Sequence, residues 1–88
     1  MASQDRAEVA YTFGLINSGE GPRLVILEPW GDQFPLPSGE TLEIRARGPV
    51  AGQTGDGRLQ VELRPDGGVT MRGWVGSIVE LYYHDQEV

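Results

Sequence analysis

Few side chains in this sequence are of the kinds that carry out covalent or metal chemistry. His84 is the single histidine, and the chain has no cysteine. Zinc and blue-copper sites of the usual types therefore lack ligands within one chain. None of the four serines lies in a nucleophile-elbow pattern of the kind that presents a serine for attack. We expect no catalytic residue, no metal ligand and no cofactor.

Two further kinds of site, a pair of catalytic carboxylates and a phosphate-binding loop, are compatible with the composition, but no sequence motif supports either. The thirteen acidic residues would allow hydrolysis by a carboxylate pair, yet a chain of 88 residues rarely forms a substrate cleft. The glycine-rich run 52–57 contains no lysine and is not followed by a helical pattern, so it does not match a phosphate-binding loop. The sequence predicts a protein that is not an enzyme.

One loop combines acidic and aromatic residues that would suit a small molecule or a cation. The residues of this loop candidate are Glu28, Trp30, Asp32 and Phe34. A hard cation such as calcium takes at least about six oxygen ligands, and this loop offers only two carboxylates. The structural alternative is that the two aromatic rings close one end of the fold while Asp32 caps a turn.

Net charge and hydropathy limit the classes of partner. The formal net charge is −6, and all seven basic residues are arginine. An acidic domain is repelled by phosphates, so we expect no nucleic-acid partner. The same charge would suit an acidic inhibitor or immunity-type protein, whose binding to a basic enzyme would weaken with salt. The longest apolar run, Leu24–Leu27, is too short for a membrane span. The polar N-terminus and the lack of cysteine lead us to expect a cytoplasmic protein.

Turn residues divide the chain into short segments that alternate between apolar and polar residues. Glycine or proline recurs about every eight to twelve residues, and no segment between them keeps a helical period. We predict one all-β domain over residues 1–88, with residues 1–6 flexible. Its architecture should be a small antiparallel β-sandwich or open barrel of roughly six to seven short strands. The segment Leu36–Ile44, a turn leading into an alternating strand, resembles units of immunoglobulin-like and cupredoxin-like sandwiches.

The C-terminal third predicts a three-stranded meander over residues 58–64, 69–74 and 78–84. A turn at Pro65-Asp66-Gly67 pairs Leu63 with Val69 and Val61 with Met71, so that apolar residues lie opposite apolar residues. A second loop over residues 75–77 would pair Arg72 with Glu80 and Met71 with Leu81. In this register Val79 and Leu81 share the core with Val69 and Met71.

The outward face of that meander is the predicted interaction face. It would carry an unusual group of large residues, namely Arg58, Arg72, Trp74, Ile78 and Tyr82. Tryptophan, tyrosine and arginine are enriched at binding hot spots. The leading hypothesis is a non-catalytic protein–protein interaction module, acting as a homodimer or as an accessory subunit. The alternatives are a small-molecule or cation-binding protein that uses the 28–36 loop, an acidic inhibitor, or a face covered by the chain itself.

Overall fold

A computed structural model describes residues 8–50 and 58–88. These residues form eight strands in two four-stranded sheets that pack face to face, so the predicted all-β sandwich is confirmed. The described residues contain no helix, and thus none with the length and hydropathy to cross a bilayer. The strands are β1 Glu8–Ile16, β2 Arg23–Glu28, β3 Asp32–Leu36, β4 Thr41–Pro49, β5 Gln60–Leu63, β6 Val69–Arg72, β7 Ile78–Tyr83 and β8 Gln86–Glu87.

The two sheets differ in how their strands pair. The first sheet has the order β1-β4-β7-β8, with every pair antiparallel. The second sheet has the order β3-β2-β6-β5, and its central pair, β2 with β6, is parallel. The sandwich is therefore mixed, whereas the sequence pattern indicated purely antiparallel pairing.

The core forms where alternating residues of both sheets meet. In β4 the inward residues Leu42, Ile44 and Ala46 are at most 2% exposed. Their β1 partners are the alternate residues of that strand, for example Phe13 opposite Ile44. Each fully buried aliphatic side chain contributes roughly 1.5–3 kcal/mol to folding. The second sheet adds its own buried residues to this layer, namely Val25, Leu27, Leu36, Val69 and Met71.

The first C-terminal hairpin has the register that the sequence predicted. Leu63 pairs with Val69 across the turn. The amide of Gly67 donates to the Arg64 carbonyl at 2.9 Å, and Gly67 has a φ of 89°, a conformation that glycine adopts without strain. The Asp66 carboxylate accepts hydrogen bonds from the Arg64 side chain and from the Gly68 amide. These two contacts, the arginine first, lower the pKa of Asp66.

The predicted three-stranded meander is wrong in its second half. After β6 the chain leaves the second sheet through residues 73–77, and β7 joins the first sheet beside β4. Glu80 therefore lies opposite Arg45 rather than Arg72, and Leu81 lies opposite Ile44 rather than Met71. The physical reason is that the second edge of β6 is already occupied by β2. A hairpin between β6 and β7 has no edge on which to form.

The two sheets are offset by one strand. The ring of Phe34 on β3 lies 5.1 Å from that of Tyr83 on β7, so these strands face each other. At the other side, Tyr11 on β1 lies 6.1 Å from Trp74, which follows β6. Because β6 faces β1 and β1 ends the first sheet, β5 extends beyond it. No strand of the described residues covers the inner face of β5.

Candidate functional site

The structure does not bring the predicted interaction face together. Arg72 ends β6 in the second sheet, whereas Ile78 and Tyr82 belong to β7 in the first sheet. Arg58 precedes β5, and Trp74 lies in the segment that crosses between the sheets. The meander register that placed these five residues on one face is the part of the interpretation that fails.

Trp74 is an anchor between the two sheets rather than the centre of an exposed face. Its indole Nε1 donates to the Pro49 carbonyl at 2.7 Å, and its ring meets that of Tyr11 edge-on at an angle of 79°. The side chain is half-buried and packs against the core. The crossing turn is closed by Ser77, whose hydroxyl accepts from the Trp74 amide at 2.9 Å. Trp74 thus fixes the path between β6 and β7.

The outer face of the first sheet carries cross-strand pairs. The Arg45 guanidinium lies 3.9 Å from the centre of the Tyr82 ring. Its Nε also lies 2.5 Å from the Glu43 carboxylate, and that hydrogen bond is the main cause that raises the pKa of Arg45. Glu80 lies 3.5 Å from Arg47. Exposed pairs of this kind stabilise a sheet by little, about 0–1 kcal/mol each.

Two residues of each predicted site meet in one cavity at an end of the sandwich. This end cavity, of about 460 Å³, is lined by residues of both candidates, among them Glu28, Trp30, Arg72 and Trp74. Arg72 bonds Glu62 at 2.8 Å and lies 3.7 Å from Glu28. Trp30 is 46% exposed. Of the lining residues, Glu28 and Arg72 are charged and their charges cancel, and two indoles lie beside them.

The other two residues of the loop candidate do not join the end cavity. Phe34 is half-buried and packs against Tyr83 in the core. Asp32 is exposed at the start of β3 and lines a smaller hollow with Trp30. His84 is exposed and lies 3.1 Å from Glu40. In residues 8–50 and 58–88 no three histidine, cysteine, aspartate or glutamate side chains are grouped so that they could hold a metal ion.

A group of exposed apolar side chains on β1 and β5 was not predicted from the sequence as a site. We call it the open side and define it by Tyr11, Ile16, Val61 and Leu63, which are 40%, 64%, 50% and 79% exposed. A groove of about 220 Å³ lies there between the end of β1 and Leu63. Val61 and Leu63 point inward by strand parity, since they pair with Met71 and Val69. They are exposed because the first sheet ends before it reaches them.

The four terminal strands of the two sheets are protected to different degrees. Strand β3 contains Pro35, which cannot donate to a further strand, and β8 has only two residues. Strand β5 is short, and its Glu62 is held by Arg72. Strand β1 has nine residues, and its sequence from Val9 to Ile16 contains no charge and no proline. An edge of this kind pairs readily with another strand.

Compared with known proteins, the chain matches no protein-family profile, no curated protein and no solved structure.

Proposed function

We propose that this chain is a non-catalytic protein–protein interaction module that accepts an extended strand along β1. The observation that carries the proposal is the exposure of Val61 and Leu63 on the inner face of β5. A strand added beside β1 would extend the first sheet and lie over these two side chains. Addition of a strand to a sheet edge is a common mode of protein recognition, in which the main chain supplies affinity and alternate side chains supply specificity.

Binding at this site requires both the apolar side chains of β5 and the main-chain hydrogen-bonding groups of β1. Full burial of a valine or leucine side chain contributes about 1.5–3 kcal/mol, so covering the exposed parts of Val61 and Leu63 contributes roughly 3 kcal/mol together. Association loses at least about 4 kcal/mol of translational and rotational freedom. The apolar cover alone is therefore too weak, and the added strand must also form main-chain hydrogen bonds with β1. This predicts a partner segment that is extended and alternates between apolar and polar residues.

The proposal is tested with a charged residue on the open side. Leu63→Lys places an ammonium group where the added strand would lie, and the side chain is already 79% exposed, so folding should be retained. The matched control is Gln33→Lys, which adds the same charge on the exposed face of β3, at the opposite edge.

The probe is a short synthetic peptide of alternating valine and threonine, and the readout is amide hydrogen exchange. The peptide should slow exchange in β1 of the natural chain and of Gln33→Lys, and should leave Leu63→Lys unchanged. Unchanged exchange in β1 of the natural chain at millimolar peptide, or equal protection in Leu63→Lys, would contradict the proposal.

A second candidate function is favoured by the end cavity. Two tryptophans beside the Glu28 carboxylate suit an organic cation, because indole faces attract cations and the carboxylate supplies the opposing charge, while Arg72 is bonded to Glu62 outside the cavity. Tryptophan fluorescence would be titrated with choline and with its neutral isostere 3,3-dimethylbutanol. Choline should bind more tightly, and Glu28→Gln should remove the difference. Equal responses to the two compounds would eliminate this candidate.

The remaining expectations from the sequence stay predictions. They are an accessory or homodimeric role, a cytoplasmic location and the lack of catalysis. An acidic inhibitor of a basic enzyme differs from strand addition in one measurable respect, since its binding would weaken steeply as salt is added.

A further inference from the structure

We infer that the extended segment accepted along β1 carries an acidic side chain that pairs with Arg23. The inference rests on the proposed strand addition and names a feature of the partner at that same site. It concerns the groove of about 220 Å³ at the end of β1, which opens between Ile16 and Leu63. Among the described residues that line this groove, Arg23 carries the only charge, and the floor is formed by apolar side chains of the second sheet.

Arg23 occupies an inward-facing position at the start of β2. It pairs with Leu36, which is buried in the core, and it has the same strand parity as the buried residues Val25 and Leu27. Its side chain is half-buried. Arginine is found mostly on protein surfaces, so an arginine at an inward position of a sandwich calls for a charge partner.

The Arg23 side chain extends toward the open side. Its Nη1 atom lies directly over Gly67, in the space that a side chain at that position would fill. On the other side of the guanidinium, a Cβ on Gly19 would lie 3.0 Å from Nη2. The parallel register of β2 with β6 continues to Arg23 beside Gly67, so the arginine reaches across the line of β6 in the direction of β5.

Arg23 differs from other arginines of the described chain in its lack of a counter-charge. Four of those arginines have a carboxylate oxygen within 3.5 Å, namely Arg45, Arg47, Arg64 and Arg72. In residues 8–50 and 58–88 no carboxylate lies within ion-pair distance of Arg23. A strand over the groove would remove more water from this guanidinium, and a carboxylate on that strand offsets the cost through charge-assisted hydrogen bonds.

The strand registers give the position of the acidic residue in the partner. Val25, Val69 and Leu63 form one row across the second sheet, and Arg23 lies in the next inner-face row, toward the turn at residues 65–67. Every second residue of the added strand faces inward, so successive inward residues lie over Val61, over Leu63 and in the row of Arg23. In the commoner antiparallel direction, the acidic residue comes first. The partner pattern is therefore acidic-x-apolar-x-apolar.

The acidic character of the chain does not prevent this pairing. Asp66, the carboxylate of the adjacent turn, is bonded to Arg64, so its charge is balanced locally. Glu62 on β5 is bonded to Arg72 in the same way. More distant carboxylates are screened over about 8 Å at physiological salt.

Two capped hexapeptides test the pairing, Glu-Thr-Val-Thr-Val-Thr and the neutral Gln-Thr-Val-Thr-Val-Thr. The dissociation constant of each peptide is obtained from the concentration that half-protects the amides of β1 against hydrogen exchange. The glutamate peptide should bind the natural chain roughly tenfold more tightly, the effect of one charge-assisted pair. The net charge of −6 acts in the opposite direction, so the chain as a whole cannot produce this preference.

Three variants assign the preference to Arg23. Arg23→Gln should bind the two peptides equally, whereas Arg23→Lys should keep part of the preference, because it retains the charge but not the planar fork. The matched control is Arg47→Gln, which removes the same charge from the exposed end of β4, where Arg47 pairs with Ala10 away from the groove. This control should keep the full preference. Circular dichroism checks that each variant is folded, and the two peptides on the natural chain decide the matter if Arg23→Gln is not.

The outcomes separate this inference from the proposed function. Equal affinities of the two peptides for the natural chain, with β1 protected by both, would overturn the pairing with Arg23 and leave strand addition intact. A preference that persists in Arg23→Gln would overturn it too. If neither peptide protects β1, the inference and the proposed function both fail. Sodium hexanoate should bind more weakly than the glutamate peptide, and tighter binding would assign the groove to a free aliphatic acid instead of a strand.

Discussion

Removing the side chain of Trp74 tests whether that residue holds the sandwich together or serves a binding face. In the structure the indole joins three parts of the fold. It donates to the Pro49 carbonyl at the end of β4, contacts the Tyr11 ring on β1 and packs on the core. We therefore expect Trp74→Ala to destabilise the monomer, with no direct effect on a partner surface.

The size of the effect follows from these contacts. The hydrogen bond contributes about 1 kcal/mol, and the edge-on aromatic pair about 0.5–1.5 kcal/mol. A fully buried tryptophan loses about 3–5 kcal/mol on truncation to alanine, and Trp74 is half-buried. Roughly 3 kcal/mol is the expected loss. For a domain of this size each kcal/mol lowers Tm by about 4–8 °C, so the melting point should fall by at least about 12 °C.

Urea unfolding followed by circular dichroism measures this loss without using the mutated fluorophore. Val75→Ala is the matched control, because Val75, next to Trp74, is 65% exposed and its truncation should change the free energy of unfolding by less than about 1 kcal/mol. Phenylalanine at position 74 should recover about half of the loss, since it keeps the ring contact and lacks the N–H donor. A midpoint for Trp74→Ala equal to that of the natural chain would refute the anchoring role.

Three further predictions concern the parts of the fold that position the two sites. Asn17→Ala should lower the free energy of unfolding by about 1–3 kcal/mol, because the buried amide donates to the Leu36 carbonyl at 2.9 Å; urea denaturation tests this. Gly48→Ala should lower Tm, since the new Cβ would lie 2.7 Å from a backbone Cα of the crossing segment; an unchanged Tm would contradict that close approach. Asp66, whose pKa the Arg64 hydrogen bond lowers, should stabilise the fold above the usual aspartate pKa of 3.8. The stability difference between the natural chain and Asp66→Asn should therefore shrink as the pH falls through the lowered pKa, and a pH-independent difference would contradict the assignment.

The parts of the fold that local pattern determines could be predicted from the sequence. The alternation of Leu42, Ile44 and Ala46 gives the inward face of β4, and the turn at residues 65–67 gives the register of β5 with β6. In both cases the information lies within a few residues, because a strand has a period of two and a short turn fixes which residues face each other.

The partner of β7 could not be read from the sequence in the same way. Pairing Glu80 with Arg72 and pairing it with Arg45 both place a carboxylate beside a guanidinium and keep Leu81 in the core. The choice between them depends on β2, which is far away in sequence and takes the second edge of β6. In the structure Thr70 is buried beside Val69 and Met71, as expected for a residue of a central strand.

The positions of the candidate site residues depend on which sheet β7 joins. Placing β7 in the other sheet separates Ile78 and Tyr82 from Arg72, and it leaves Arg72 and Trp74 beside the loop residues Glu28 and Trp30. The open side has a signal in sequence, namely a nine-residue strand without charge or proline after Glu8. An uncharged strand indicates a pairing edge only when the strand is known to lie at the end of its sheet, since the same composition is ordinary in a central strand.

The offset between the sheets and the edge of β1 together limit which strands this site can accept. Any strand that fills it must present alternate apolar side chains toward Val61 and Leu63. Its inner face must also be free of any other sheet, because β5 already lies over that position. A single extended segment meets both conditions, whereas the edge strand of a second sandwich does not. Leu63→Lys should therefore weaken binding of an extended peptide, and Gln33→Lys, at the opposite edge, should not.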